Sequence, residues 1–347
     1  MDLARLTVDL AALRANYRTL AAAAPGTGAV VKADGYGLGA RRVAEALRRE
    51  GCADFFVATV AEGLDLAGRL GEARIYVFSG PMDADDAAHM AANGLTPVLN
   101  ESAQVARWQR YRHLPVAVHI DTGMHRLGFD FRSFDAGPFD GLRVALVLSH
   151  LANADRRGDP LSGSQAARYA ALLGFFPGAR TSLGNSAGVL SGIGGDIARP
   201  GIALYGGNPF STGRSPMPPV ATLEARVVGL RTIGPGEPVG YGGTFRTVRE
   251  TRIAVLGIGY ADGVPRAVSN CGVVACRGQR LPVVGRISMD LMHVDVTAAR
   301  SRIAVGDWLE IFGRTVRVDD LAAAAGTIPY EVLTGIGSRV VRHYTDA

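Results

Sequence analysis

Lys32 closes the apolar run Gly28-Ala29-Val30-Val31, and a glycine-rich stretch, Ala33-Asp34-Gly35-Tyr36-Gly37-Leu38-Gly39, follows it. Such a run reads as a buried strand and the glycines as a tight turn. An amine at the end of a buried strand is poorly hydrated, which favours its neutral, nucleophilic form, the form that condenses with an aldehyde. The same pattern also suits a lysine whose stem packs inside while its charge reaches water. Other polar residues close later apolar runs: His119 and Asp121, with Arg126 shortly after them, then Ser149-His150 and Asn185-Ser186, and Arg199-Pro200-Gly201 stand at the eighth.

Apolar strand-like runs cover 29–32, 55–60, 75–79, 96–100, 116–121, 144–150, 181–185 and 202–206. Segments rich in alanine, leucine and arginine lie between them, at 41–49, 61–70, 83–92, 101–111 and 164–173, and suit helices. Strands alternating with helices predict a parallel sheet with crossovers, and eight repeats fit a (β/α)8 TIM-type barrel. An open doubly wound sheet is the alternative, but no G-x-G-x-x-G follows the first strand. In a barrel the polar strand ends converge on one mouth, where barrel enzymes keep their chemistry. An imine-forming lysine, an imidazole, an arginine, Asn-Ser and the Gly201 and Ile202 backbone amides would hold an anionic aromatic aldehyde. Pyridoxal phosphate combines those features in one molecule, and its phosphate needs no metal in such a cradle.

Residues 208–219 contain four prolines and predict a linker. Beyond it, runs at 225–230, 253–258, 273–275, 281–284, 291–296, 308–312 and 315–318 lack long intervening helices, which predicts a mostly antiparallel β domain. A short helix is expected over 319–325, with Asp319 or Asp320 as its N-cap. The organisation read from this pattern is an N-terminal strand (1–8) joining the β domain, a barrel (9–207), the linker (208–219) and the β domain (220–347).

The 347 residues suit two domains, and 48% hydrophobic content supports a large core. Three cysteines in no metal-binding spacing point to a reducing compartment and to no metal site. The first residues lack a signal-peptide pattern and no apolar run reaches a membrane-spanning length, so a cytoplasmic protein without membrane contact is expected. A net charge of +5 without a basic stripe argues against nucleic acid and suits an anionic small molecule.

The run Ala29-Val30-Val31-Lys32-Ala33-Asp34-Gly35-Tyr36-Gly37 resembles the cofactor-lysine signature of alanine racemases, fold-type III pyridoxal phosphate enzymes. The similarity continues through Asp121-Thr122-Gly123-Met124-His125-Arg126-Leu127-Gly128-Phe129, Ser149-His150, Asn185-Ser186-Ala187 and Arg199-Pro200-Gly201-Ile202-Ala203-Leu204-Tyr205-Gly206. It extends to Val239-Gly240-Tyr241-Gly242, Gly259-Tyr260-Ala261-Asp262-Gly263, Gly285-Arg286-Ile287-Ser288-Met289-Asp290 and Gly326-Thr327-Ile328-Pro329-Tyr330-Glu331, in the family's order over nearly the whole chain.

The resemblance implies interconversion of L- and D-alanine, with D-alanine supplied to peptidoglycan. It makes Lys32 the cofactor lysine and one of two bases, and Tyr241 the second, on the opposite face of the α-carbon. One base must remove the proton while another group returns one from the other side. His150, backed by Arg199, resembles the network that tunes Tyr241, and Arg199 matches the arginine at the pyridine nitrogen. Tyr36, Ser186, Gly201, Ile202 and Tyr330 match the phosphate cradle, with Asn185 beside it. Arg126 and the Met289 backbone N–H match contacts to the substrate carboxylate. Asp290 neighbours the latter, and Tyr260 matches a tyrosine at the entrance. In this family Tyr241, Tyr260, Met289 and Asp290 come from the partner chain, which implies a head-to-tail homodimer with shared sites.

Two positions depart from the pattern. His119 stands where relatives often carry a carbamate-bearing lysine that holds the arginine, and alternation along the strand places it on one face with Ala117 and Asp121. Neutral histidine offers one acceptor and no charge, which predicts that Arg126 is held less firmly or by another acceptor such as a bound anion. Leu38 stands where many relatives have histidine. Other readings are a broad-specificity or serine-preferring racemase, a non-catalytic pyridoxal phosphate carrier, and a related decarboxylase. The β domain bearing Tyr241 and Met289 opposes the carrier, and Arg199 disfavours the decarboxylase.

Overall fold

The computed structural model describes residues 2–24 and 26–346. The chain divides into two compact units, one of residues 13–204 with 208–216, the other of residues 2–12, 205–207 and 217–346. Residues 208–219 form neither helix nor strand.

In the first unit seven parallel strands are neighbours in chain order: Ala29–Val30, Asp54–Val57, Arg74–Val77, Leu95–Leu99, Pro115–Asp121, Arg143–Leu148 and Arg180–Ser182. The strand interiors are buried and rich in valine, isoleucine and leucine, as expected of a parallel sheet covered on both faces. Helices Ala40–Arg49, Val60–Leu66, Ala84–Ala92, Ser102–Trp108 and Pro160–Leu172 provide crossovers. The first of these turns Val43, Ala44, Ala46 and Leu47 inward and ends on Arg48 and Arg49, which oppose the partial negative charge of its last turn. Val60–Leu66 is shorter than its sequence pattern, because Gly68 and Gly71 take positive φ just beyond it.

The eighth strand position is not where the apolar run 202–206 predicts it. Residues 202–205 turn instead. The extended segment 197–200 closes the circle. Its Ile197 and Arg199 N–H groups donate to Thr181 and Gly184 carbonyls, while its Ala198 and Pro200 carbonyls accept from Gly28 and Val30. Pro200 lacks an N–H, so the seam ends there.

In the second unit the 13-residue strand Ala221–Ile233 is the spine. Its first half pairs antiparallel with Ala4–Asp9 and Trp308–Phe312, and its second half pairs with Thr251–Leu256 after a register shift between Val227 and Gly229. Val273–Cys276, Gln279–Pro282 and Met292–Asp295 extend this sheet, and the parallel pairing of Ala4–Asp9 with Val341–Thr345 makes it mostly antiparallel. Ala4–Asp9 alternates buried and half-buried residues, the signature of a sheet covered on one face. Residues 315–318, expected as a strand, lead instead into the helix Val318–Ala325, whose N-cap residue is Arg317. The Asp320 carboxylate accepts from the Arg317 N–H, so Asp320 serves the cap from inside the helix.

Candidate active site

Lys32 leaves the strand Ala29–Val30 and enters a left-handed turn. Ala33, Asp34, Gly35 and Tyr36 have φ of 51°, 53°, 62° and 57°. Left-handed backbone costs a non-glycine residue about 1–2 kcal/mol, so the three such residues here hold strain offset by neighbouring contacts. Gly35 and Gly37 N–H groups bond back to Val31 and Ala33 carbonyls, and the Asp34 carboxylate accepts from Ala40 N–H at 2.8 Å. Glu62 completes the arrangement: one carboxylate oxygen accepts from Ala33 N–H and the other from Ala58 N–H, each at 2.7 Å. It also closes a capping box with Thr59. Burial and the nearby Arg126 charge push the Lys32 amine below its ordinary pKa, while Glu62 opposes them. Lys32 has no ion pair among the described residues.

Arg199 is buried, 3% exposed. It donates to Ser182 Oγ at 2.5 Å and to the Ser149 carbonyl at 2.6 Å. Burial lowers its pKa to about 10, which still leaves it charged at neutral pH. Its Nη2 lies 3.5 Å from His150 Nδ1. A guanidinium only donates, so that nitrogen accepts and His150 carries its proton on Nε2. Burial, then Arg199, drives the His150 pKa well below its usual value, leaving it neutral.

Beyond the seam, Tyr36 packs so closely on Gly201 that a Cβ there would meet its hydroxyl at 2.1 Å. Ser186 Oγ accepts from Gly201 and Ala203 N–H groups at 2.9 and 3.3 Å, which leaves its own hydrogen free to donate. Ile202 is fully buried, yet its N–H has no acceptor among the described residues. Asn185 spends its side-chain oxygen on Gly188 N–H, at the start of the helix Ser186–Leu190.

His119 is buried, with Nδ1 2.8 Å from Asn100 Oδ1. Burial first, then Arg199, lowers its pKa to about 4. Neither Asn100 nor its neighbour Gln104 stood out in the sequence, although a polar pair four residues apart after a strand was a readable cue. Arg126 is exposed and makes no hydrogen bond or ion pair among the described residues. Leu38 is fully buried core. Lys32, Tyr36, His119, Arg126, His150, Asn185, Ser186, Arg199, Gly201 and Ile202 thus all belong to the barrel unit.

Tyr241, Tyr260, Met289, Asp290 and Tyr330 belong to the other unit. Tyr241 sits in the loop joining Pro238–Val239 to Phe245–Arg246 and is 71% exposed. Gly242 faces Arg286, whose guanidinium would lie 2.8 Å from a Cβ there. The Tyr260 and Ala261 N–H groups donate to Ser288 and Met289 carbonyls, which ties the Tyr260 and Met289 loops together. Arg339 bridges the same loops, donating to Asp262 and Asp290 at 2.9 Å. Tyr260, Met289 and Tyr330 side chains are exposed.

The chain thus combines a parallel barrel unit, carrying a buried arginine, two histidines with lowered pKa and a lysine with no ion pair among the described residues, with a mostly antiparallel sheet unit, the class of a two-unit barrel protein. Residues 8–209 match the family model described as alanine racemase, N-terminal domain, and residues 220–344 match alanine racemase, C-terminal domain. The chain is 46% identical to the catabolic alanine racemase of Rhizobium johnstonii, over 98% of this chain and 94% of that protein. It is 45% identical to the alanine racemase of Acidiphilium cryptum, over 97% of each. The fold is similar to the crystal structure of Bartonella henselae alanine racemase with covalently bound pyridoxal phosphate, at a TM-score of 0.93 and 38% identity, covering 99% of this chain and 100% of that one. The chain belongs to the alanine racemase family, whose members are amino-acid racemases.

Proposed function

We propose that the protein interconverts L- and D-alanine with pyridoxal phosphate, using Lys32 and a second copy's Tyr241 as bases on opposite faces of the α-carbon. The observation that carries this reading is Lys32: an amine pressed toward its neutral form by burial, with no ion pair among the described residues, on a turn that Glu62 fastens with two backbone hydrogen bonds. The barrel unit's donors suit the cofactor. The unpartnered Ile202 N–H and the free Ser186 hydroxyl hydrogen fit a phosphate, with Gly201 and Tyr36 beside them, and Arg199 fits an unprotonated ring nitrogen. When bound, pyridoxal phosphate withdraws electrons and acidifies the α-proton of an attached amino acid.

The chain's own residues do the rest. Lys32 Nζ takes or returns the proton on one face. Tyr241 Oη does so on the other, with His150 Nε2–H as a donor that would favour the phenolate. Arg126 and the Met289 N–H receive the carboxylate, Asp290 steadies the Met289 loop through Arg339, and Tyr260 and Tyr330 line the approach. Exposure of Tyr241, Tyr260 and Met289 suits presentation to a second copy, and so supports a head-to-tail homodimer. The D-alanine formed would enter peptidoglycan.

The test is incubation with each enantiomer of alanine and of serine in D2O. Inversion of alanine with deuterium gained at the α-carbon is expected, and cofactor absorbance without exchange overturns the reading. Mixing a Lys32→Ala chain with a Tyr241→Phe chain tests the shared site. Each alone should be nearly inactive, and mixed dimers should regain activity. No recovery after demonstrated subunit exchange sinks the dimer model.

A further inference from the structure

Tyr241 sits between glycines. Gly240, Gly242 and Gly243 have φ of 70°, 72° and 53°, the left-handed region that glycine enters without strain. Such a loop is defined by what holds it, and the Tyr241 side chain makes no hydrogen bond among the described residues. Within the loop, Gly243 N–H donates to the Gly240 carbonyl at 3.2 Å. The first side chain after the glycines is Thr244, and Asn270 Nδ2 donates to its Oγ1 at 3.1 Å. The other end of the Asn270 amide, Oδ1, accepts from Gly285 N–H at 2.6 Å. An oxygen must face that N–H, so the atom facing Thr244 is the amide nitrogen. Asn270 itself has φ of 63°, a conformation that asparagine tolerates. Beside it, Ser269 Oγ accepts from Ile287 N–H at 3.1 Å. Gly285 in turn lies against the strand that leads to Tyr241: a Cβ there would meet the Val239 carbonyl at 2.6 Å. The turn after Ile287 presents the Met289 N–H, which has no acceptor among the described residues.

We infer that Asn270 is a positioning residue: its side-chain amide clamps the Tyr241 loop to the loop running from Gly285 to Asp290, so that the phenol and the Met289 N–H are presented as one body. Thr244 and Asn270 are both exposed, so the clamp is worth about one net hydrogen bond, roughly five- to tenfold between held and released loops. A released loop leaves Lys32 able to take and return a proton on its own face while the opposite face goes unserved. The inference rests on Tyr241 being the second base in the reading above.

The clamp is tested first by amide hydrogen exchange in the full chain loaded with pyridoxal phosphate. Thr244→Val should speed exchange at Gly243 by roughly five- to tenfold. Asn270→Gly keeps the left-handed backbone and should speed Gly285 as well. Asn270→Asp should restore most of the protection, because its carboxylate accepts from both Gly285 N–H and the Thr244 hydroxyl. Unchanged exchange at Gly243 in either Thr244→Val or Asn270→Gly overturns the clamp. The positioning role is read with each enantiomer of alanine in D2O. Both variants should lower kcat for inversion by a similar factor and raise the share of one enantiomer that gains α-deuterium without inverting, with Asn270→Asp recovering most of the loss. Loss of folded protein lowers exchange and inversion together, so an unchanged share overturns the positioning role even where kcat falls. A Tyr241→Phe chain that still inverts alanine overturns the second-base reading and leaves the hydrogen-exchange result standing.

Discussion

Glu62 holds the turn that carries Lys32 without belonging to any site motif. Its two oxygens fasten the backbone on either side of the Lys32 turn, and its charge works against the burial that neutralises Lys32. Glu62→Gln removes that charge, so the Lys32 amine should titrate at a lower pH than in the parent. Methylation of the amine with labelled formaldehyde and an NMR titration would read the midpoint, and a rise would contradict the assignment. His119 makes the second prediction at this scale. Its folded pKa of about 4 lies below the ordinary histidine value of 6.5. Above both values neither state of the chain protonates it. Between them the unfolded chain takes up a proton that the folded chain refuses, so stability falls as the pH drops from about 6.5 to about 4, by roughly 3 kcal/mol in all. His150 acts in the same direction. Denaturant midpoints across that range should show the fall, and His119→Gln should flatten it.

Among the elements, the end of the barrel away from the polar strand ends is pinned by Asp54, the first residue of its strand. Its carboxylate takes Arg74 at 2.6 and 2.9 Å and Arg180 at 3.1 Å, which links three strands. Asp54→Asn should cost about 2 kcal/mol, the loss of hydrogen bonds between charged groups, while leaving turnover nearly unchanged. A denaturant melt with parallel assays checks both parts, and a large loss of kcat at full folding would contradict it. The elements also show where sequence reading succeeds and where it fails. Strand-helix alternation exposed the barrel because both periodicities persist over long segments. Residues 202–206 read as a strand because they are apolar and buried, but burial alone does not separate a strand from a turn. The true closing segment, 197–200, holds Arg199 and Pro200, which mask its extended character. Lys32 was legible as a candidate from its place at a strand end, Arg199 from its place beside the eighth apolar run, and most other candidate site residues from family motifs. Glu62 was legible only as half of a Thr-x-x-Glu capping box. The Asn100–His119 pair was not legible at all, because it joins neighbouring strands whose register no local pattern reveals.

At the scale of the whole molecule, the proposed chemistry is divided between the two units of the chain. The barrel unit carries Lys32, Arg126, Arg199 and the proposed phosphate donors, while the sheet unit carries Tyr241 on an exposed loop. Among the described residues, no helix is long and apolar enough to cross a membrane. The barrel's closing seam has one further consequence. Two backbone bonds, from Gly28 and Val30 to Ala198 and Pro200, complete the ring, and beyond them the chain passes directly into Gly201 and Ile202, proposed here to grip a phosphate. Without that anion, the seam should breathe. Deuterium should enter the Gly28 and Val30 amides faster than the interior amides of Pro115–Asp121, and pyridoxal phosphate should slow the entry sharply. The cofactor would then act as the clasp of the barrel as well as its reagent.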